Sequence, residues 1–319
     1  GRPKKKKIIS RQRAYHGVTI ATASLTGLPN NHRDFDLPIE RMLHTDSPHF
    51  YRDANQGETE EEFADRLAAN LEALIEGEGA DTIAAFIAEP VMGAGGVIPP
   101  PTTYFEKIQP ILKRHDILFL DDEVICGFGR TGNMFGAETY DLQPDVMSMA
   151  KALSSAYLPI SAVMISEEIF QAAVEESAKI GTFGHGFTYS GHPVPAAVAT
   201  RTLELYEERN IIGHVQGIAP KFQERLRSFA DHPLVGEARG VGLIGALELV
   251  ADKASKRSFA PPQGVGARIV AIAEQEGLIV RALVDSIGFC PPLIITEAEI
   301  DEMFDRFSRA LEATEAWVA

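Results

Sequence analysis

Cysteine, tryptophan and long apolar runs are what this sequence has least of. Its two cysteines, Cys126 and Cys290, give no disulfide framework for 319 residues and fit a reducing compartment. No apolar run reaches the roughly 18 residues a membrane-spanning helix needs. Positive charge is short as well: 30 Lys and Arg stand against 45 Asp and Glu, a net charge of −15. Most of such a surface repels phosphate, which argues against a general nucleic-acid binder. Histidines at metal-ligand spacing are also missing; His185 and His192 stand among turn residues without a Cys or carboxylate pattern, and no metal site is expected. The opening residues lack the apolar core of a secretory signal, so the sequence predicts a cytoplasmic protein with no membrane partner.

What is present is ordinary for a globular chain, with 45% hydrophobic and 24% charged residues, enough for one large or two medium domains. The opening GRPKKKKIIS admits two readings: Lys4 to Lys7 as a basic tag, or as a solvated loop entering a strand at the β-branched pair that follows. Apolar runs of strand length (TIAAFIAE at 82–89, ILFLDDEV at 117–124, DVMSMA at 145–150, LPISAVMIS at 158–166) alternate with helical patterns, which predicts a buried and mainly parallel sheet. Thr59 with Glu62, and Thr296 with Glu299, have the spacing of capping boxes. Each precedes an apolar stripe, Phe63, Leu67, Leu71 and Leu74 in the first case and Ile300, Met303, Phe304, Phe307 and Leu311 in the second. Beyond a helix at about 193–208 the pattern changes. VGEARGVGLIGALELV reads as two strands turning at Gly240 to Gly242, followed by a helix near 264–275, strands GLIVR and SIGFC, and a final helix. The expected division is 1–207 for a large domain and 208–319 for a small α+β domain.

Two places carry chemistry that packing does not ask for. FLDDEV sets Asp121, Asp122 and Glu123 where a buried strand ends, and in open α/β sheets ligands sit at the carboxyl ends of strands; a solvated acidic turn is the plainer alternative. Lys151 follows the apolar DVMSMA with Asp145 as the only acid for many residues on either side. It either snorkels to solvent or, in a dry site, becomes a nucleophilic amine suited to Schiff-base chemistry. An aldehyde cofactor with a pyridine ring joins the two features, because it needs a lysine for the aldehyde and an aspartate to keep its ring nitrogen protonated.

The stretch LDDEVICGFGRTGNMFGAETYDLQPDVMSMAKALSSAYLPISA resembles the signature of the class III aminotransferases, pyridoxal-phosphate enzymes of fold type I, and within them the pyruvate-dependent omega-aminotransferases. The resemblance continues in order through RAYHGVT, AEPVMGAGG, HGFTYSGHPVPAA, GLIVR and CPPLIITEAEIDEM. It implies an α/β fold with a mainly parallel sheet in a large domain, and a smaller C-terminal α+β domain. It further implies that Lys151 forms the Schiff base with pyridoxal 5'-phosphate and shuttles the proton, that Asp122 binds the pyridine nitrogen, and that Val124 packs under the ring. Tyr15 stacks on the other ring face and borders the substrate, His16 beside it belongs to the cofactor-binding set, and Glu89 lies in the supporting network. Thr188 reaches the cofactor phosphate of a second subunit, which implies a homodimer with shared sites. Arg281 resembles the mobile arginine that pairs with a substrate carboxylate and swings out for an amine without one.

The implied reaction moves an amino group from an amine or omega-amino acid to pyruvate or a similar keto acid. A decarboxylase or aminomutase of the same family, or an inactive remnant, remains open at this point. The family pattern also carries, before the YHG motif, a Gly-Ser/Thr phosphate loop and a substrate-pocket aromatic that the fourteen residues ahead of Tyr15 do not contain. GRPKKKKIISR resembles an interior connector, so the expectation is a chain matching roughly the C-terminal two thirds of a member, holding the phosphate weakly by itself. Met92, where many relatives are polar, is a smaller departure.

Overall fold

The computed structural model describes residues 2–318 and builds two sheets. The first has six strands: β1 (Lys7–Arg11), β2 (Met42–Thr45), β3 (Ile83–Ala88), β4 (Leu118–Asp122), β5 (Val146–Met149) and β6 (Ala162–Ile165), in the spatial order β2-β1-β3-β4-β5-β6. Every neighbouring pair is parallel except β5 with β6, which is antiparallel. The mainly parallel sheet read from the sequence is therefore present, trimmed by a residue or more at each strand end. β2 is a strand that no sequence signal marked, since MLHT is short and mixed in polarity.

Helices cover one face of this sheet. Glu60–Glu78 starts at Thr59, whose hydroxyl accepts from the Glu62 N–H (3.2 Å) while the Glu62 carboxylate accepts from the Thr59 N–H (2.9 Å). Its buried stripe is Phe63, Leu67, Leu71 and Ile75; Leu74 is half-buried because the stripe drifts by one residue over the last turn. With Tyr104–Arg114 this helix packs on Phe86 and Phe119 of β3 and β4.

The second sheet is antiparallel, with β7 (Val235–Val241), β8 (Ile244–Leu249), β9 (Arg281–Leu283) and β10 (Ser286–Phe289) in the order β7-β8-β10-β9. The β7–β8 turn consists of Gly242 and Leu243, later than expected, because β7 keeps pairing through Val241 opposite Ile244. Gly242 supplies the left-handed φ of 55°, and a Cβ there would run into the Arg130–Thr131 backbone. GLIVR is not a strand over its length; only its last residue, Arg281, enters β9. Helices Ile211–Arg227, Val265–Gln275 and Glu297–Val318 bury this sheet in a core of Phe222, Leu247, Phe289, Phe304 and Phe307. Glu297–Val318 carries the second capping box, Thr296 with Glu299. Among the described residues no helix is long and apolar enough to cross a membrane.

Candidate active site

The carboxyl ends of β1, β3, β4 and β5 lie side by side, and each delivers a residue singled out above. Tyr15 and His16 follow β1, Glu89 follows β3, Asp122 closes β4, and Lys151 stands two residues past β5. Parallel strands point all these ends to one edge of the sheet, where side chains far apart in sequence converge.

Asp122 is 6% exposed and held from behind. Its Oδ2 is 2.7 Å from His16 Nδ1, and its Oδ1 accepts from the Val124 N–H at 3.2 Å. An ionised carboxylate only accepts, so the His16 proton sits on Nδ1, and in the neutral ring Nε2 accepts from the Ser10 hydroxyl at 3.1 Å. The His16 N–H is fixed by the Thr26 hydroxyl (2.9 Å). Glu89, 3% exposed, accepts from the backbone N–H of Tyr15 (3.1 Å) and of Gly93 (2.9 Å), tying the YHG loop to the Met92–Ile98 turn. Burial pushes the Glu89 carboxyl up, and the Asp122 charge adds to this against His16 and the Gly93 N–H.

Asp121 and Glu123 have the opposite surroundings. Both are buried, and among the described residues Asp121 Oδ1 and Oδ2 and Glu123 Oε2 have no hydrogen-bond partner, while Glu123 Oε1 accepts from the Ala137 N–H at 2.7 Å. Burial, and for Asp121 the facing Glu123 charge, raise both carboxyls. The solvated acidic turn is thus not what the chain makes: all three acids are inside, and alternation along β4 divides them between its two faces.

Lys151 begins a single 3₁₀ turn, Lys151–Ser154, at a left-handed φ of 45°, a conformation that costs a non-glycine residue about 1–3 kcal/mol. Its amine has no hydrogen-bond or ion-pair partner among the described residues, and its side chain is exposed, not in a dry site, where it lines a cleft of about 1290 Å³. Tyr15, Val97, Ile125, Arg130 and Arg281 line the same cleft. Asp122, His16 and Glu89 are not among the residues that line it. An amine with no partner among the described residues, a carboxylate whose two oxygens are held by His16 and the Val124 N–H, and an aromatic ring lining the lysine's cleft fit a group with an aldehyde and a protonated ring nitrogen. Thr188 is not in the cleft; it stands exposed in a turn between Phe187 and Tyr189, each 80% exposed.

Sequence reasoning missed Ser10, which sets the histidine, and Arg130, whose Nη1 donates to the carbonyls of Leu243 (2.9 Å) and Pro291 (2.6 Å) and so joins the two sheets at the cleft. Arg130 lies within the GFGRTG of the quoted signature, and a lone arginine in a glycine-rich loop was the one available signal. Nothing near Ser10 distinguishes it from any strand serine.

Known proteins resemble this chain along its whole length. The family described as "Aminotransferase class-III" matches residues 1–311. "Gamma aminobutyrate transaminase 3, chloroplastic" of Solanum lycopersicum is 57% identical over 315 residues, 99% of this chain and 61% of that protein. The chain therefore spans about three fifths of the length of the curated relatives it matches. Among solved structures, "Transaminase with L-ala" superposes with a TM-score of 0.98 at 57% identity, over 100% of this chain and 75% of the other. The omega transaminase from Pseudomonas jessenii in complex with PMP gives a TM-score of 0.98 at 52% identity, over 100% and 70%.

Proposed function

Because the chain belongs to the class-III aminotransferase family, we propose that the whole protein is a pyridoxal-phosphate aminotransferase, moving an amino group from an amine or omega-amino acid to pyruvate or a similar keto acid. One observation carries the reading: on adjacent strands β4 and β5, a carboxylate locked by His16 and an unpartnered lysine amine stand at the same sheet edge. Pyridoxal phosphate, when bound, supplies an aldehyde for the amine and a ring that accepts the electron pair left when the substrate carbon loses its proton.

The chain's own groups do the rest. Asp122, with Oδ2 engaged by His16, turns its charge toward the ring nitrogen and keeps the proton there. Val124 follows it as the apolar support beneath the ring. Lys151 would hold the aldehyde through its amine and, when its amine is free, would move a proton from one position of the substrate to another. Tyr15 closes the other ring face, and Glu89 fixes its backbone. Arg281 meets a carboxylate with two parallel hydrogen bonds and withdraws for an amine lacking one. Thr188 donates to a phosphate oxygen in the site of a second copy. A dimer is supported by the exposed apolar side chains of the segment 157–189, Tyr157, Val163, Met164, Phe183, Phe187 and Tyr189. We keep 1–207 and 208–319 as the two domains and the cytoplasm as the compartment, with fractionation of the tagged whole protein against the chloroplast named for one relative as its check.

Reconstitution of the whole protein with pyridoxal phosphate tests the reading. A visible absorption band forms and bleaches when an amine donor is added, and pyruvate restores it. Lys151→Ala removes the amine-dependent cycle, lowering turnover by about 10²–10⁴-fold or more. A parent protein with no such band, or a Lys151→Ala variant that turns over normally, refutes it.

A further inference from the structure

A second charged cluster, away from Lys151 and Asp122, is built around Arg239 in the middle of β7. Arg239 is 7% exposed. Its Nη1 donates to Glu237 (2.7 Å), and its Nη2 donates to Glu248 (2.9 Å), to the Ser286 hydroxyl (3.0 Å) and to the carbonyl of Gly96 (2.6 Å). Nε donates to the carbonyl of Val97 at 2.9 Å. Glu248 also accepts from Arg52 Nε (2.8 Å), and Glu237 from His49 Nε2 (3.3 Å), whose Nδ1 accepts from Arg13 at 2.9 Å, two residues before Tyr15.

The carbonyls Arg239 grips belong to the Met92–Ile98 turn, which is strained. Val97 has a φ of 50°, the left-handed region where a β-branched residue is a genuine outlier, and Gly96 has a φ of 131°. Such a shape persists only where its surroundings over-determine it. Here Glu89 holds the Gly93 end and Arg239 holds the Gly96–Val97 end. Val97 thereby stands in the wall of the cleft, within an apolar cluster against which Leu283 of β9, the strand that begins at Arg281, also packs. Ser286, a partner of Arg239, opens β10, whose Gly288 is the register partner of Arg281.

We propose that Arg239 is a positioning residue: by holding the strained Met92–Ile98 turn to β10, it fixes the gap between Val97 and Arg281 and so decides how well the cleft takes a carboxylate-bearing donor. The proposal rests on the reading of Arg281 given above. A carboxylate pairs with a guanidinium through two parallel bonds, and that geometry is lost with a small displacement, whereas an apolar group tolerates one.

Arg239→Lys keeps the charge but cannot bond two carbonyls and two carboxylates at once. In the whole protein, kcat/KM for an omega-amino acid falls about tenfold with KM carrying most of the change, while an arylalkylamine without a carboxylate loses less than about threefold. Amide hydrogen exchange at Gly96 and Val97 speeds up in the same variant, a readout independent of turnover. If Arg239→Lys does not fold, Ser286→Ala removes the hydroxyl that accepts from Arg239 and donates to Glu248, and gives the same ordering with a smaller separation. Equal losses for both donors, a loss in kcat alone, or unchanged exchange at Gly96 and Val97 overturns the proposal. A parent that reacts with no donor refutes the aminotransferase reading instead, and the exchange measurement still decides the turn.

Discussion

The two buried charge clusters differ in how they are satisfied. Around Arg239, carboxylates and guanidinium groups are matched: Glu248 takes bonds from Arg239, Arg52 and the Ser286 hydroxyl. At the end of β4, three consecutive acids have no lysine or arginine at bonding distance among the described residues; Asp122 is held by His16 and the Val124 N–H, but Asp121 has no hydrogen-bond partner there. A saturated cluster holds two parts of a fold together and has little left to offer a ligand. An unsaturated one is expensive to bury and persists where the unspent charge has a use, or where protons quench it.

Removing the charge at the functional end has the largest effect expected. Asp122→Asn keeps the shape and the His16 contact but not the charge, and turnover in the whole protein falls by about 10²–10³-fold, as for other pre-organised electrostatic groups. A measured loss below tenfold would place the ring-nitrogen partner elsewhere.

At the saturated end the effect falls on stability. Burial pushes the Glu248 carboxyl up, but Arg239, Ser286, His49 and Arg52 outweigh it and hold the group at about 2. Its ordinary value is 4.5, so the stability it contributes is present above pH 4.5 and is lost as pH falls toward 2. Glu248→Gln leaves Arg239 partly unpaired, and urea unfolding at pH 7 registers a loss of about 3 kcal/mol. The deficit narrows at pH 3, where the parent carboxylate is itself being protonated in the unfolded chain.

The smallest effect has the opposite sign. Asp121 in the folded chain keeps a proton that the unfolded chain loses above 3.8, so it costs stability increasingly as pH rises from there through its raised folded value. Asp121→Asn removes that cost and stabilises by about 1 kcal/mol or more at pH 8, with less gain at pH 5. Destabilisation at pH 8 would mean that Asp121 is ionised and paired.

Reading from sequence succeeded where local chemistry was unusual. A lysine after DVMSMA, acids after ILFL and two Thr-x-x-Glu boxes violate or punctuate apolar patterns, and they fall at strand ends and helix starts as expected. It failed where the signal is a meeting of distant residues. His16 and Asp122 lie 106 positions apart, and Arg239 reaches Gly96 across 143. Nothing in YHG or EARGVG encodes the partner, because topology and not local pattern brings them together. GLIVR misled for a related reason: its β-branched residues satisfy strand propensity, yet Ile279 is 89% exposed and pairs with no strand, and tertiary context decided.

The left-handed backbone at Lys151 has a practical corollary for anyone ranking variants of this chain. Glycine adopts that φ at no steric cost, so a library sorted by melting temperature alone would favour Lys151→Gly and enrich molecules that have lost their amine. Heat resistance and chemistry pull in opposite directions at this one position, and a selection scheme needs a chemical filter before a thermal one.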